Sequence, residues 1–305
     1  MTGRKKKFED VIIDTDPGHD DAMALMLALK SQIFKVHAIT TVAGNSGIEN
    51  TTRNVRFILK LLEREDIPVY SGAKKPLKRE LVTAVVHGKS GLEGIDPKNP
   101  AKLTNNAVSK IISIVKENPG KITLITLGPL TNIAKAIKQN PRVMRKLKAI
   151  VMMGGAIRVA GNMSRVAEFN IFVDPEAADI VMGFPVKKAI IPLDACNHVV
   201  MQPSDFAKIT NQSLAIPIKK MIKPYIANTL KVEGINGALM YDPLTVYYLI
   251  NPKASKTKEM NVVVKTKGEL AGMTAASKKE PANVTVVERT SAKQFKEDFI
   301  NILSL

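Results

Sequence analysis

Two rhythms of apolar positions run along this chain. Short runs rich in aliphatic and β-branched residues predict strands at Val11–Ile13, Lys35–Val42, Val69–Tyr70, Ile122–Leu127, Ala149–Met153, Lys188–Ile191, Val262–Lys265 and Val284–Val287. Amphipathic or continuous apolar stretches predict helices at Ala22–Lys30, Ile48–Leu62, Ala107–Lys116, Asn132–Lys138, Pro175–Met182 and Ala292–Ile302. Pro203–Leu239 has a vaguer pattern and reads as helical. Strands alternating with helices predict an α/β fold, a single domain whose mostly parallel central sheet is flanked by helices in a Rossmann-like way. Residues 1–9 read as a basic N-terminal extension and 10–305 as the domain. In such sheets ligands bind beyond the carboxyl ends of the strands, so the residues just after each strand carry the functional question.

Composition narrows the classes. The 305 residues are 45% apolar and 24% charged, which excludes a disordered or collagen-like chain. No apolar run approaches the ~18 residues needed to span a bilayer, so no membrane partner is expected. Arg4-Lys5-Lys6-Lys7 leads into Phe8-Glu9-Asp10 rather than an apolar stretch, so no secretory signal is expected. The single cysteine, Cys196, excludes an internal disulfide and suits a reducing, cytoplasmic setting. A formal net charge of +17 raises nucleic-acid binding first. Against it, lysines outnumber arginines, the basic residues are scattered, there is no Trp, and no basic run is interleaved with aromatics. A solvated basic surface is the expectation, without a nucleic-acid partner.

The chemistry concentrates after the first strand, at Asp14-Thr15-Asp16-Pro17-Gly18-His19-Asp20-Asp21, where four carboxylates fall within eight residues. The next eight residues, Ala22–Leu29, are apolar throughout, so that helix should be buried and the acidic turn tied to the interior. Pro17-Gly18 supplies a bend, and Asp20 could cap the helix. One helix end cannot neutralise four clustered carboxylates, so either some take up protons or a cation sits among them. Oxygen-only ligands favour Ca²⁺ or Mg²⁺ over zinc. The bland alternative is a solvent-exposed acidic turn with one cap. Other strand ends carry polar residues whose bland readings are turns and caps: Gly44-Asn45 as a turn, Thr131 as a cap, Asp242-Pro243 as a helix start.

Together these segments resemble the inosine–uridine preferring nucleoside hydrolases. Asp14–Asp21 is similar to that family's DxDPGxDD signature. In order follow TTVAGN at Thr40–Asn45, HGKSG at His87–Gly91, LGPLTN at Leu127–Asn132, MGG at Met153–Gly155, AEFNIFVDPEAA at Ala167–Ala178, and Tyr241-Asp242-Pro243. The resemblance implies calcium-dependent hydrolysis of the N-glycosidic bond of ribonucleosides to ribose and free base. It implies Asp16, Asp21, Asp242 and the Leu127 backbone carbonyl as Ca²⁺ ligands, supported by Asp14. It implies Asp20, Asn45, Asn162, Glu168 and Asn170 as ribose contacts, Asp16 as general base, and a homodimer or homotetramer. Many relatives carry His before the aspartate that is Asp242 here; Tyr241 stands there instead, a weaker acid at neutral pH. Tyr241 and His87 are the candidates for handling the leaving base. The segment around Tyr225, Asn228 and Asn236, where base contacts are expected, matches the family poorly.

Three rival readings carry distinct expectations. A DxD phosphatase would use Asp14 and Asp16, but its Asp-Gly-Thr continuation is replaced by Pro17-Gly18-His19. A nucleoside or ribose binder that lost turnover at Tyr241 would be stabilised by ligand without releasing base. A nucleic-acid binder would show steeply salt-dependent retention. A phosphate loop at His87-Gly88-Lys89-Ser90 fails, because Thr83 stands where its first glycine belongs.

Overall fold

The computed structural model describes residues 8–98, 101–277 and 281–305. The expected basic run Arg4–Lys7 lies outside them. The first strand begins at Glu9, one residue inside the expected extension, because Glu9 pairs in register with Phe34.

Eleven strands form: β1 (Glu9–Thr15), β2 (Phe34–Thr41), β3 (Val69–Ser71), β4 (Thr123–Thr126), β5 (Ala149–Met153), β6 (Lys188–Ile191), β7 (Val200–Met201), β8 (Ala238–Leu239), β9 (Ser255–Val264), β10 (Thr274–Ser277) and β11 (Val284–Thr290). Nine make one sheet in the order β10-β9-β11-β6-β5-β4-β1-β2-β3, and β7 pairs with β8 apart from it. From β11 to β3 the pairs are parallel; β9 joins β11 and β10 antiparallel at one edge. This is the predicted α/β architecture. The periodic signal missed β7, β8 and β10 because they are two to four residues long. It caught only the end of β9, whose first half is exposed and polar.

The chain runs from β1 outward through β2 and β3, then returns to place β4 on the other side of β1. The strand order therefore reverses between β1 and β4, and a crevice opens beyond their carboxyl ends. Two apolar cores flank the sheet. One surrounds the helix His19–Lys30, buried from His19 through Ala28; the other lies under the helices Ala107–Glu117, Thr131–Gln139 and Pro175–Gly183. The first helix starts three residues earlier than the apolar pattern alone predicts, so His19, Asp20 and Asp21 form its first turn. It packs along the helix Tyr241–Ile250, which places Asp242 in the first turn of a second buried helix. The vague region resolves into a short helix, Pro203–Phe206, and a long one, Gln212–Glu233, ended by Gly234 at φ 71°. That left-handed conformation is one glycine adopts without a side-chain clash.

Candidate active site

The acidic turn is not a surface feature. Asp14, Asp16, Asp20, Asp21 and Asp242 are all buried, which overturns the exposed-turn alternative. Nor does Asp20 cap the helix. Gly18 occupies the cap position, and the Asp21 carboxylate accepts its N–H at 3.0 Å. Asp21 also accepts from the Thr15 hydroxyl at 2.6 Å and the Asn45 amide at 2.9 Å. Thr131 is likewise no cap; its hydroxyl donates to Asp174 at 2.6 Å.

Asp14, the last residue but one of β1, is held by the Thr40 hydroxyl at 2.5 Å and the Asn132 amide at 2.8 Å. Burial pushes its pKa up to about 7 against those two bonds. Asp16 lies beyond the strand. One oxygen accepts the Asn45 backbone N–H at 2.7 Å. A Cβ on Gly44 or Gly128 would overlap the Asp16 carboxylate, so glycine at both positions lets two backbone segments close on it. Burial, then the Asp21 charge, raises the pKa of Asp16 and Asp20 well above the carboxylate range; burial, then Asp21 and Asp20, does the same to Asp242.

Four carboxylate oxygens in this cluster are buried without a hydrogen-bond donor: Asp14 Oδ2, Asp16 Oδ1, Asp20 Oδ1 and Asp242 Oδ1. Oxygens from Asp20, Asp21 and Asp242 lie within 4.8 Å of one another. Two helix N-termini aim at this spot and favour negative charge there. They cannot replace the water these oxygens have lost. A hard divalent cation can, and an all-oxygen donor set suits Ca²⁺ or Mg²⁺. The residues present therefore fit such a cation, but the three carboxylates whose oxygens converge are Asp20, Asp21 and Asp242; Asp16, named in the expected ligand set, is not among them.

Above the cluster lies a cleft open to solvent. Asp20, Asn45, Leu127, Asn162, Glu168, Asn170, His87, Tyr241 and Asp242 line it, so the structure brings most of the predicted site together. Asp14, Asp16 and Asp21 sit beneath. Glu168 caps the short helix Phe169–Val173, accepting N–H groups of Asn170, Ile171 and Gly155; burial nonetheless raises its pKa. Asn170 donates to the Leu127 carbonyl at 2.6 Å, whose second lone pair stays available. Asn162 accepts the Phe169 N–H at 3.0 Å, steadying the loop.

His87 is buried in a 3₁₀ turn, Val85–His87, not on a surface loop. Its Nδ1 accepts the His19 backbone N–H at 3.2 Å. The His19 ring nitrogen Nδ1 meets the same atom at 3.1 Å, and His87 Nε2 lies 3.6 Å from Asp20 Oδ1. Burial, then His19, lowers the pKa of His87 well below the usual range, so it is neutral at pH 7. His19 itself escaped the sequence reading. It stacks on Tyr225 at 5.0 Å and faces His87 and the Glu93 carbonyl, and burial lowers its pKa to about 4. Its position inside the acidic signature was the available signal. Of the three residues named on the expected base side, Tyr225 lines the cleft; Asn228 instead ties the 3₁₀ turn to the long helix through Val86 and Glu93, and the Asn236 carbonyl holds Gln202. Glu233, which no motif marked, also lines the cleft and accepts the Tyr241 hydroxyl proton at 2.8 Å.

A mostly parallel sheet whose switch point holds a buried carboxylate cluster under a polar-lined cleft defines a small-molecule enzyme of the α/β class. The chain belongs to the inosine-uridine preferring nucleoside hydrolase family, whose sequence pattern matches residues 11–297. It is thereby an N-glycosidase acting on ribonucleosides. It is 40% identical to the pyrimidine-specific ribonucleoside hydrolase RihA of Klebsiella pneumoniae over 87% of either chain. The structure of the plant nucleoside hydrolase PpNRh1 superposes with a TM-score of 0.90 at 30% identity, covering 97% of this chain and 99% of that one. The purine-preferring ribonucleoside hydrolase from Gardnerella vaginalis superposes at 0.89 with 27% identity, covering 97% and 98%. The DxD phosphatase reading is set aside by this membership. Among the described residues no helix is long and apolar enough to cross a membrane.

Proposed function

We propose that this protein hydrolyses ribonucleosides to ribose and free base with a resident Ca²⁺ ion, as a homo-oligomer in the cytoplasm. The observation that carries the reading is the set of four buried, donor-free carboxylate oxygens at the switch point. Asp16, Asp21, Asp242 and the Leu127 carbonyl would hold the ion, with Asp14 supporting from behind. When bound, calcium supplies a Lewis acid that makes a water proton more acidic and engages sugar hydroxyls.

The remaining steps belong to the chain's own residues. Asp16 is pinned through one oxygen by the Asn45 N–H, leaving Oδ1 to accept the proton of the attacking water as general base. Glycosidic cleavage builds positive charge on the ribose. Asp20, Glu168 and the amide oxygens of Asn45, Asn162 and Asn170 surround the sugar and stabilise that charge in a site shielded from water. The departing base gathers electron density, and His87, which lines the cleft, is the proposed hydrogen-bond donor to it. Tyr241 borders the base with its own proton engaged by Glu233. Relatives named above divide between pyrimidine and purine, so the base side of the cleft sets the preference within this fold.

The test is release of free ribose from a panel of purine and pyrimidine ribonucleosides, with and without chelator. Turnover abolished by chelation and restored by calcium is expected. Ligand-induced thermal stabilisation without ribose release would instead identify a binder, and chelator-insensitive turnover would remove the metal from the reading.

A further inference from the structure

We propose that Glu233 and Tyr241 form an acceptor-only edge that selects nucleobases carrying an exocyclic amino group. This rests on the nucleoside reading above and names the substrate subclass. A phenol has one proton, and Tyr241 gives it to Glu233 Oε2 at 2.8 Å. What remains toward the cleft is the lone pairs of the Tyr241 oxygen and of the carboxylate.

Glu233 is unusually placed for a carboxylate. It ends the helix Gln212–Glu233, where the macrodipole disfavours negative charge. It is partly buried, lining both the main cleft and an adjoining pocket. In a chain with 45 lysines and arginines, no ion pair among the described residues includes it. Tyr241 is its hydrogen-bond donor there. A half-buried carboxylate so lightly served is completed by N–H donors from whatever enters the cleft. The neighbouring Val85, Val232 and Phe169 add apolar surface suited to the faces of a flat base.

An exocyclic amino group presents two N–H donors to such an edge. The carbonyl that replaces it in uracil or hypoxanthine points lone pairs at the edge, and the adjoining ring nitrogen then carries a single N–H, so one of the two acceptors is left unpaired. Cytidine should therefore be favoured over uridine, and adenosine over inosine, within whichever ring size the cleft admits.

The experiment measures kcat/KM for both pairs in the wild-type holoenzyme and in Glu233→Ala, Glu233→Gln and Tyr241→Phe. The amino-bearing member should lead by at least about tenfold in the wild type, the scale of one matched polar contact. Glu233→Ala should erase that lead through KM for the amino member while uridine or inosine turnover persists. An equal loss for both members, as a merely structural role would give, or an unchanged ratio, overturns the inference. So does a wild-type preference for uridine and inosine. Calorimetry of cytidine and uridine binding to Asp16→Asn protein gives a second readout that needs no turnover. If the wild type releases ribose from nothing, the hydrolase reading fails; a cytidine preference lost on adding Glu233→Ala would still support the edge, and equal binding of both would overturn it.

Discussion

At Gly44 and Gly128 the decisive property is a missing atom. Either Cβ would overlap the Asp16 carboxylate, so the two glycines fix where the proposed general base stands. Gly44→Ala and Gly128→Ala should each lower kcat/KM by about 100-fold, the effect of displacing a reacting group by roughly an ångström; steady-state kinetics on folded protein checks this. Asp16→Asn keeps size and shape but loses the proton acceptor. It should lower kcat by on the order of 10²–10⁴ with an unchanged circular dichroism spectrum. Near-wild-type turnover in that variant would remove Asp16 from the role. His87 and His19 show how one residue's surroundings depend on another's position: His87 Nδ1 meets both the backbone N–H and the ring of His19.

At the scale of elements, the junction of β1 with the helix His19–Lys30 couples charge to stability in two opposed ways. Burial holds the Asp14 pKa at about 7, above its ordinary 3.8. A raised carboxylate pKa means the folded state binds the proton more tightly than the unfolded chain. In chelated protein that contribution is full below about pH 4 and disappears as pH rises to about 7. Its size is on the order of 4 kcal/mol. The His19 pKa, lowered to about 4 from 6.5, works the other way: stability present above pH 6.5 is lost as pH falls toward 4. Thermal melts of chelated Asp14→Asn should therefore lose part of the fall in stability between pH 4 and 7. Melts of His19→Asn should lose part of the rise. Identical pH slopes in wild type and variants would show that neither group is held as described.

For the whole molecule, the cluster predicts that metal, substrate and fold are linked. Calcium at about 100 times its dissociation constant should add roughly 2.7 kcal/mol to the chelated protein, seen as a rise of several degrees in Tm. No calcium-dependent shift would count against the cation site. If sugar hydroxyls complete the polar floor of the cleft, 2′-deoxynucleosides leave buried groups unpaired, and their kcat/KM should fall by at least about 100-fold. Comparable turnover of uridine and deoxyuridine would contradict that floor.

The sequence by itself determined the strand–helix alternation, the buried first helix and the acidic octapeptide, because these are local patterns of side-chain chemistry and spacing. It also marked Asp242, through a short motif at a helix start. Tertiary structure alone decided which of these groups meet and which lose their water. Packing of the helix His19–Lys30 along Tyr241–Ile250 brought Asp242 to Asp20 and Asp21, and the reversal of strand order opened the crevice above them. It also paired Glu233 with Tyr241 and His19 with His87, contacts that no spacing along the chain encodes. Periodicity reports how one segment faces a core. Desolvation and partner geometry depend on segments distant in sequence, so the chemistry of the site became readable only once they were packed together.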